Sequence, residues 1–152
     1  MRARRLPPPG GRGVPGLSDT ELRRRVAEAR VARLATVDAE GRPHLVPICF
    51  ALDGETLYSA VDAKPKRTAA LRRLQNVRAN PRVTVLADHY EDDWSRLWWV
   101  RLDGRARLVE DATERARALA LLEAKYEQYR AEPPGGPVLA VDIERLSGWT
   151  AS

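Results

Sequence analysis

Six short segments of this chain carry the residue pattern of β-strands, and turn signals separate most of them. The segments are residues 31–37, 43–52, 57–61, 82–88, 97–110 and 138–143. Asp38-Ala39-Glu40-Gly41 and Asp53-Gly54 are turn sequences that predict hairpins between the first three strands. Because the strands follow one another at short spacing and helices are few, the pattern predicts a small six-stranded antiparallel barrel.

Three helices are expected between these strands. They should span about residues 18–29, 66–77 and 111–129. Ser18-Asp19-Thr20-Glu21 and Asp111-Ala112-Thr113-Glu114 have the form of capping boxes, in which the first side chain caps the helix and the fourth reaches back. Asp103-Gly104 interrupts the long fifth strand and predicts a β-bulge there.

The second strand is apolar on both faces, which indicates that both faces are covered, by a helix or by a second subunit. Pro47 lacks a backbone donor and should lie at a sheet edge or a bulge. Three of the four tryptophans lie between Trp94 and Trp99, and packing in the core or a dimer interface is favoured over stacking on a ligand. Both features predict a homodimer.

Composition indicates one folded domain, residues 18–152, behind a tail. Residues 1–17 are rich in Pro and Gly and are predicted to be disordered. They hold four arginines and no acid, so most of the net charge of +5 lies in the tail, which argues against nucleic-acid binding. A single cysteine predicts a cytoplasmic protein without a disulfide, and the chain shows no zinc-ligand spacing, signal sequence or membrane-spanning segment.

The third strand passes into the middle helix through Asp62-Ala63-Lys64-Pro65, where Lys64, Lys66 and Arg67 cluster. A helix N-terminus offers free N–H groups and a positive dipole end, which suit a phosphate. The cluster is therefore interpreted either as a phosphate-binding turn or as a solvated basic turn. Ser59, just before it, could bond a planar heterocycle, although the residues alone favour an ordinary half-buried strand position. No P-loop, Rossmann or nucleophile motif is present, and no residue stands out as catalytic.

Several segments together resemble the pyridoxamine 5′-phosphate oxidase-like split β-barrel superfamily, which has an FMN-binding split barrel with flanking helices. The resemblance rests on residues 32–37, 41–47, 53–58, 64–67 and 76–83. The run from Asp88 to Val100, Asp-His-Tyr-Glu-Asp-Asp-Trp-Ser-Arg-Leu-Trp-Trp-Val, is similar to an actinobacterial subgroup of coenzyme F420 (deazaflavin)-dependent enzymes.

The resemblance implies a homodimer with a flavin-type cofactor in each of two sites at the subunit interface. It implies that Lys64, Lys66 and Arg67 bind the cofactor phosphate. It also implies that four further residues lie near the ring or its strand, namely Pro47, Ile48, Ser59 and Trp94. Because the segment from Lys66 to Asn76 is longer than in many relatives, Arg73 competes for the phosphate.

The expected function is that of an oxidoreductase that transfers a hydride between F420 and a small organic substrate. The alternatives are an FMN-dependent oxidase or reductase of the same fold, and a flavin- or deazaflavin-binding protein without turnover. No metal is expected in any of the three.

Overall fold

The structure is a computed structural model that describes residues 18–61 and 68–151. The helices are α1 (Asp19–Glu28), α2 (Thr68–Ala79), α3 (Ala112–Lys125) and α4 (Glu127–Ala131). The strands are β1 (Ala32–Val37), β2 (Pro43–Ile48), β3 (Ala51–Asp53), β4 (Thr56–Ala60), β5 (Arg82–His89), β6 (Trp98–Leu108) and β7 (Val138–Thr150). A 3₁₀ turn, Trp94–Arg96, joins β5 to β6. The predicted disordered tail, residues 1–17, lies outside the described residues.

Both predicted helix caps form. The Glu21 N–H donates to the Ser18 hydroxyl at 3.2 Å, and the Glu114 N–H donates to the Asp111 carboxylate at 2.8 Å. The first capping box also predicts that the Glu21 side chain bonds back to the start of α1. This prediction is wrong, because the Glu21 carboxylate pairs with Arg24 at 2.8 Å. One helical turn separates these two side chains, so the ion pair competes with the backbone for the carboxylate.

The seven strands form one antiparallel sheet in the order β2-β1-β5-β6-β7-β4-β3. The edge strands β2 and β3 are consecutive in the chain, and only Cys49 and Phe50 separate them. In a flat sheet with about 4.8 Å between strands the two edges would lie about 29 Å apart, whereas three residue steps span at most about 11 Å. The sheet must therefore curl until its edges approach each other, which is consistent with a split barrel.

The prediction of a single strand over residues 43–52 is wrong, and this accounts for seven strands rather than six. At the β2–β3 junction, Cys49 and Phe50, the backbone turns from one edge of the sheet to the other. The Tyr126 hydroxyl accepts the Phe50 N–H at 3.0 Å and lies 3.1 Å from the Phe50 carbonyl and 3.0 Å from the Arg30 carbonyl. These bonds satisfy the main chain of Phe50, which is fully buried and lies outside both strands.

Tyr126 also interrupts the third predicted helix. The sequence predicts one helix to about residue 129, whereas α3 ends at Lys125 and α4 begins at Glu127. Tyr126 itself is extended (φ −115°, ψ 117°), and its side chain reaches the junction. Tertiary contact thus overrides a helical sequence pattern that contains neither Gly nor Pro at this point.

The interior of the curled sheet is the main core. Leu22 and Val26 of α1 and Leu74 and Val77 of α2 pack into it. Helix α3 covers part of the outer face, where Ala118 packs beside buried side chains of β4 and β7. No helix among the described residues is long and apolar enough to cross a membrane.

A charged network anchors α3 to the sheet. The Arg107 guanidinium donates to Glu114 at 2.7 and 2.8 Å and to Asp142 at 2.8 Å, and the Tyr58 hydroxyl donates to Glu114 at 2.8 Å. Hydrogen bonds from Arg107 and then from Tyr58 lower the pKa of Glu114 to about 2. The carboxylate is therefore charged at neutral pH, where it links the first turn of α3 to β4, β6 and β7.

The predicted interruption at Asp103-Gly104 is confirmed. The register between β6 and β7 shifts there, since Asp103 lies opposite Arg145 and Gly104 opposite Ile143. A Cβ atom at Gly104 would lie 2.2 Å from the Asp142 carbonyl oxygen. The close backbone approach requires glycine. Beyond the bulge, β7 continues to Thr150, seven residues past the predicted end of the last strand.

Replacing Gly104 with alanine should lower the free energy of unfolding by about 3 kcal/mol, because the added methyl group overlaps a main-chain atom that cannot rotate away. The matched control is Gly135→Ala, whose added Cβ would meet no atom within 4 Å. That variant should be neutral or slightly stabilising. Urea unfolding of both variants tests the assignment, and equal stability of the two would contradict it.

Candidate functional site

Three of the predicted cofactor-binding residues meet at the β2–β3 junction. Pro47 is exposed on the edge strand β2, as its missing donor predicts, and Ile48 is buried beside it. Ser59 is 2% exposed, and its hydroxyl donates to the Cys49 carbonyl at 2.8 Å. The serine therefore holds the main chain of the junction in place.

A cleft of about 690 Å³ opens beside the junction, between it and the end of α3. We call this the Lys125 cleft. Its lining consists of Arg30, Cys49, Ala124, Lys125, Tyr126, Glu127, Gln128, Tyr129 and Arg130. The volume lies in the range of small-molecule sites. Three cations and two tyrosines face one carboxylate, so the cleft suits an anionic ligand with an aromatic part.

Lys125 is the most unusual group in the cleft. Its Nζ atom lies 3.8 Å from the centroid of the Phe50 ring and 5.3 Å from that of the Tyr126 ring. The atom is buried and, among the described residues, has no hydrogen-bond partner. Burial, and then the neighbouring Arg30 charge, lower the pKa of Lys125 to about 8. The aromatic faces offset only part of the desolvation of the ammonium group.

Main-chain bonds fix the two arginines of the cleft. The Arg30 guanidinium donates to the Lys125 carbonyl at 2.7 Å. The Arg130 guanidinium donates to the carbonyls of Glu123 and Ala124 at 3.2 and 3.3 Å. Both side chains thereby satisfy carbonyl groups near the end of α3, where the helix dipole also favours positive charge.

Arg73 of α2 is not part of the cleft lining, but it interacts electrostatically with Tyr129, which is. The Arg73 Nε atom is buried and has no hydrogen-bond partner among the described residues. Burial lowers the pKa of the Arg73 guanidinium, and the Tyr129 phenol partly opposes that shift.

None of the predicted site residues that the structure describes lines the Lys125 cleft, although Ser59 bonds to Cys49, which does. Lys64, Lys66 and Arg67 lie outside the described residues. Trp94 is half-buried in the 3₁₀ turn and does not line the cleft. Within residues 18–61 and 68–151, no group of three or more His, Cys, Asp or Glu side chains could hold a metal ion.

Sequence reasoning missed Arg30, Lys125 and Arg130 as candidate ligand-binding residues. Each lies at a helix end, where a basic side chain is ordinary. Tyr126 and Tyr129 lie three residues apart, a spacing that puts two side chains on one face of the predicted third helix. The break at Tyr126, which aims these side chains towards the junction, depends on a contact 76 residues away.

The comparisons with known proteins agree with this architecture. The family model for pyridoxamine 5′-phosphate oxidase matches residues 18–150, so the chain belongs to that family. No curated protein sequence matches the chain.

Solved structures of the same fold come from several bacteria. A FAD-binding protein from Mesorhizobium loti is 26% identical with a TM-score of 0.67, over 87% of this chain and 94% of its own. A conserved hypothetical protein from Mycobacterium tuberculosis is 22% identical with a TM-score of 0.73, over 89% and 86%. A haem storage protein from Vibrio cholerae is 20% identical with a TM-score of 0.66, over 84% and 92%.

Proposed function

We propose that this protein is an oxidoreductase that uses coenzyme F420 to transfer a hydride to or from a small organic substrate. The observation that carries the proposal is the Lys125 cleft, a basic and aromatic site at the β2–β3 junction of a pyridoxamine 5′-phosphate oxidase-type fold. The similarity of residues 88–100 to F420-dependent enzymes supports F420 over FMN.

The residues of the site fit a phosphorylated flavin or deazaflavin. Such a cofactor has a flat ring system and at least one anionic group. The tyrosines of the cleft offer aromatic surface, and the buried Nζ of Lys125 and Nε of Arg73 have no described partner. An anion beside them would supply the interaction that buried cations otherwise lack.

The predicted site residues then have distinct roles in binding the cofactor. The strand backbone at Pro47 and Ile48 would lie against the ring, with Ser59 fixing the junction behind it. Lys64, Lys66, Arg67 and Arg73 are the candidates for the phosphate, and Trp94 for an aromatic contact. When bound, the cofactor supplies the hydride chemistry, whereas the protein supplies position and electrostatics.

Two alternatives have specific support. The Mesorhizobium loti protein is named as FAD-binding, which favours a flavin-dependent oxidase or reductase, with FMN as the single-phosphate ligand. The Vibrio cholerae protein is named for haem storage, which favours binding without turnover. Both proteins share the fold, so the ligand itself has to distinguish the three functions.

Titrating the protein with F420, FMN, FAD and haem in one buffer tests the proposal. F420 should bind tightest, and reduced F420 should lose its hydride to at least one member of a panel of unsaturated compounds. Preference for FMN or FAD would support the flavin alternative. Tight binding of any of the four without turnover across the panel would favour the binding protein.

Within the same experiment, replacing a cation that contacts the phosphate with alanine should weaken F420 binding by about ten- to a hundredfold. The variants are Lys64→Ala, Lys66→Ala, Arg67→Ala and Arg73→Ala. Arg82→Ala, an exposed charge on β5 that does not line the cleft, is the matched control and should bind normally. If none of the four weakens binding relative to this control, the phosphate-binding turn is only a solvated basic turn.

We also propose that the protein is a homodimer with cofactor sites at the subunit interface. One face of β2 is uncovered in the single chain, since Leu45 is 67% exposed and Pro47 and Cys49 are exposed beyond it. An exposed apolar stripe on an edge strand is typical of an interface.

Sedimentation at micromolar concentration should give about twice the chain mass of 17.0 kDa. Leu45→Glu should shift the protein towards monomer, because the interface would then bury an unpaired carboxylate. A wild-type monomer would contradict both the interface and an interfacial cofactor site.

A further inference from the structure

We propose that Arg30 and Lys125 form an anion-binding subsite in the Lys125 cleft, which holds a phosphate or carboxylate oxygen against the Lys125 ammonium group. The subsite is separate in sequence from the predicted turn at Lys64–Arg67. It deepens the proposed function and rests on it for the choice of ligand, since it would hold an anionic part of the same molecule.

The first argument is the unsatisfied ammonium group. The Lys125 Nζ atom is buried against the Phe50 ring and makes no hydrogen bond among the described residues. An ammonium group has three N–H donors, and an aromatic face replaces none of them fully. A buried cation is ordinarily paired or bound to a ligand.

The second argument is the charge around Lys125. Arg30 comes from the segment between α1 and β1, and Arg130 from α4. Outside the lining, Arg73 of α2 interacts electrostatically with Tyr129. Besides the two arginines of the lining and Lys125, the titratable groups that line the cleft are Cys49, Tyr126, Tyr129 and Glu127. Glu127 is the only acid in the lining, and no described carboxylate lies within ion-pair distance of Lys125.

The third argument is the rigidity of the subsite. The Arg30 guanidinium donates to the Lys125 carbonyl at 2.7 Å, and Tyr126 is tied to Phe50 and Arg30. The Arg30 guanidinium is therefore held at the end of α3, where its charge acts on Lys125, before any ligand binds. Such preorganisation makes anion binding favourable. An oxygen anion between the two cations would relieve their mutual repulsion.

The subsite predicts a dependence of affinity on pH. Only the protonated amine attracts an anion, and the pKa of Lys125 is lowered to about 8. Anion binding should raise that pKa. Affinity should therefore be full at pH 6.5 and fall about tenfold per pH unit once the pH exceeds about 8.

Calorimetric titration of the full chain with sulfate and with glutarate tests the subsite, because neither probe changes charge between pH 6.5 and 9.5. Tighter binding of sulfate would indicate a phosphate oxygen as the natural ligand, and tighter binding of glutarate a carboxylate. Lys125→Met should weaken binding of the preferred anion by about ten- to a hundredfold at pH 7. Lys125→Arg should keep the affinity and abolish its decline above pH 8, because guanidinium remains charged.

Arg82→Met removes one exposed charge outside the cleft and should bind as wild type does. Lys125→Met should melt at the wild-type temperature or higher, since an uncompensated buried charge is removed. The subsite would be overturned if wild type and Lys125→Met bound each anion with the same affinity at pH 7. It would also be overturned if wild type bound neither sulfate nor glutarate.

The outcome is distinguishable from failure of the proposed function. Lys125-dependent anion binding without binding of F420 or any flavin would uphold the subsite and contradict the oxidoreductase. Binding of F420 equally to wild type and Lys125→Met would uphold the oxidoreductase and overturn the subsite.

Discussion

The hydroxyl group of Tyr126 anchors the short junction between the two edge strands of the sheet. It contacts both main-chain polar groups of Phe50, at the one place where the chain passes from the first edge strand to the last. Without it, the buried amide of Phe50 would have no described partner in a strand, at a cost of about 1–3 kcal/mol. The curled sheet, its core and the position of Cys49 all depend on this junction.

The same residue shapes the candidate site. Because Tyr126 leaves the helical conformation to reach Phe50, α3 stops at Lys125 and α4 starts in a new direction. The end of α3 thereby presents Lys125 to the Phe50 ring and leaves a cleft beside the junction. One contact thus fixes the main chain of the β2–β3 junction and shapes the basic site beside it. A substitution at Tyr126 should therefore change both stability and ligand binding.

Local signals in the sequence predicted the local structure well. The capping residues Ser18 and Asp111, the Asp53-Gly54 turn and the interruption at Gly104 all act within a few residues or through a backbone requirement. Residues 43–52 gave no sign of the strand break, because the apolar pattern continues through Cys49 and Phe50. The side chain that bonds to the main chain at that break is a tyrosine 76 residues away.

The site was predictable in part for the same reason. The family resemblance placed Pro47, Ile48 and Ser59 near a cofactor ring, and in the structure they lie at or beside the β2–β3 junction. Their role in binding stays a prediction. Arg30, Lys125 and Arg130 come from separate elements, and each is unremarkable in its own segment. Their proximity arises from the curling of the sheet and the break between α3 and α4, neither of which has a local signature.

Amide hydrogen exchange at Phe50, measured by NMR in wild type and in Tyr126→Phe, tests the central role of this contact most directly. Exchange at Val85, fully buried in β5, reports the stability of the core in the same sample. Loss of the hydroxyl should speed exchange at Phe50 by about five- to a hundredfold relative to Val85, because the junction opens locally. Equal protection of Phe50 in the two proteins, relative to Val85, would contradict the account.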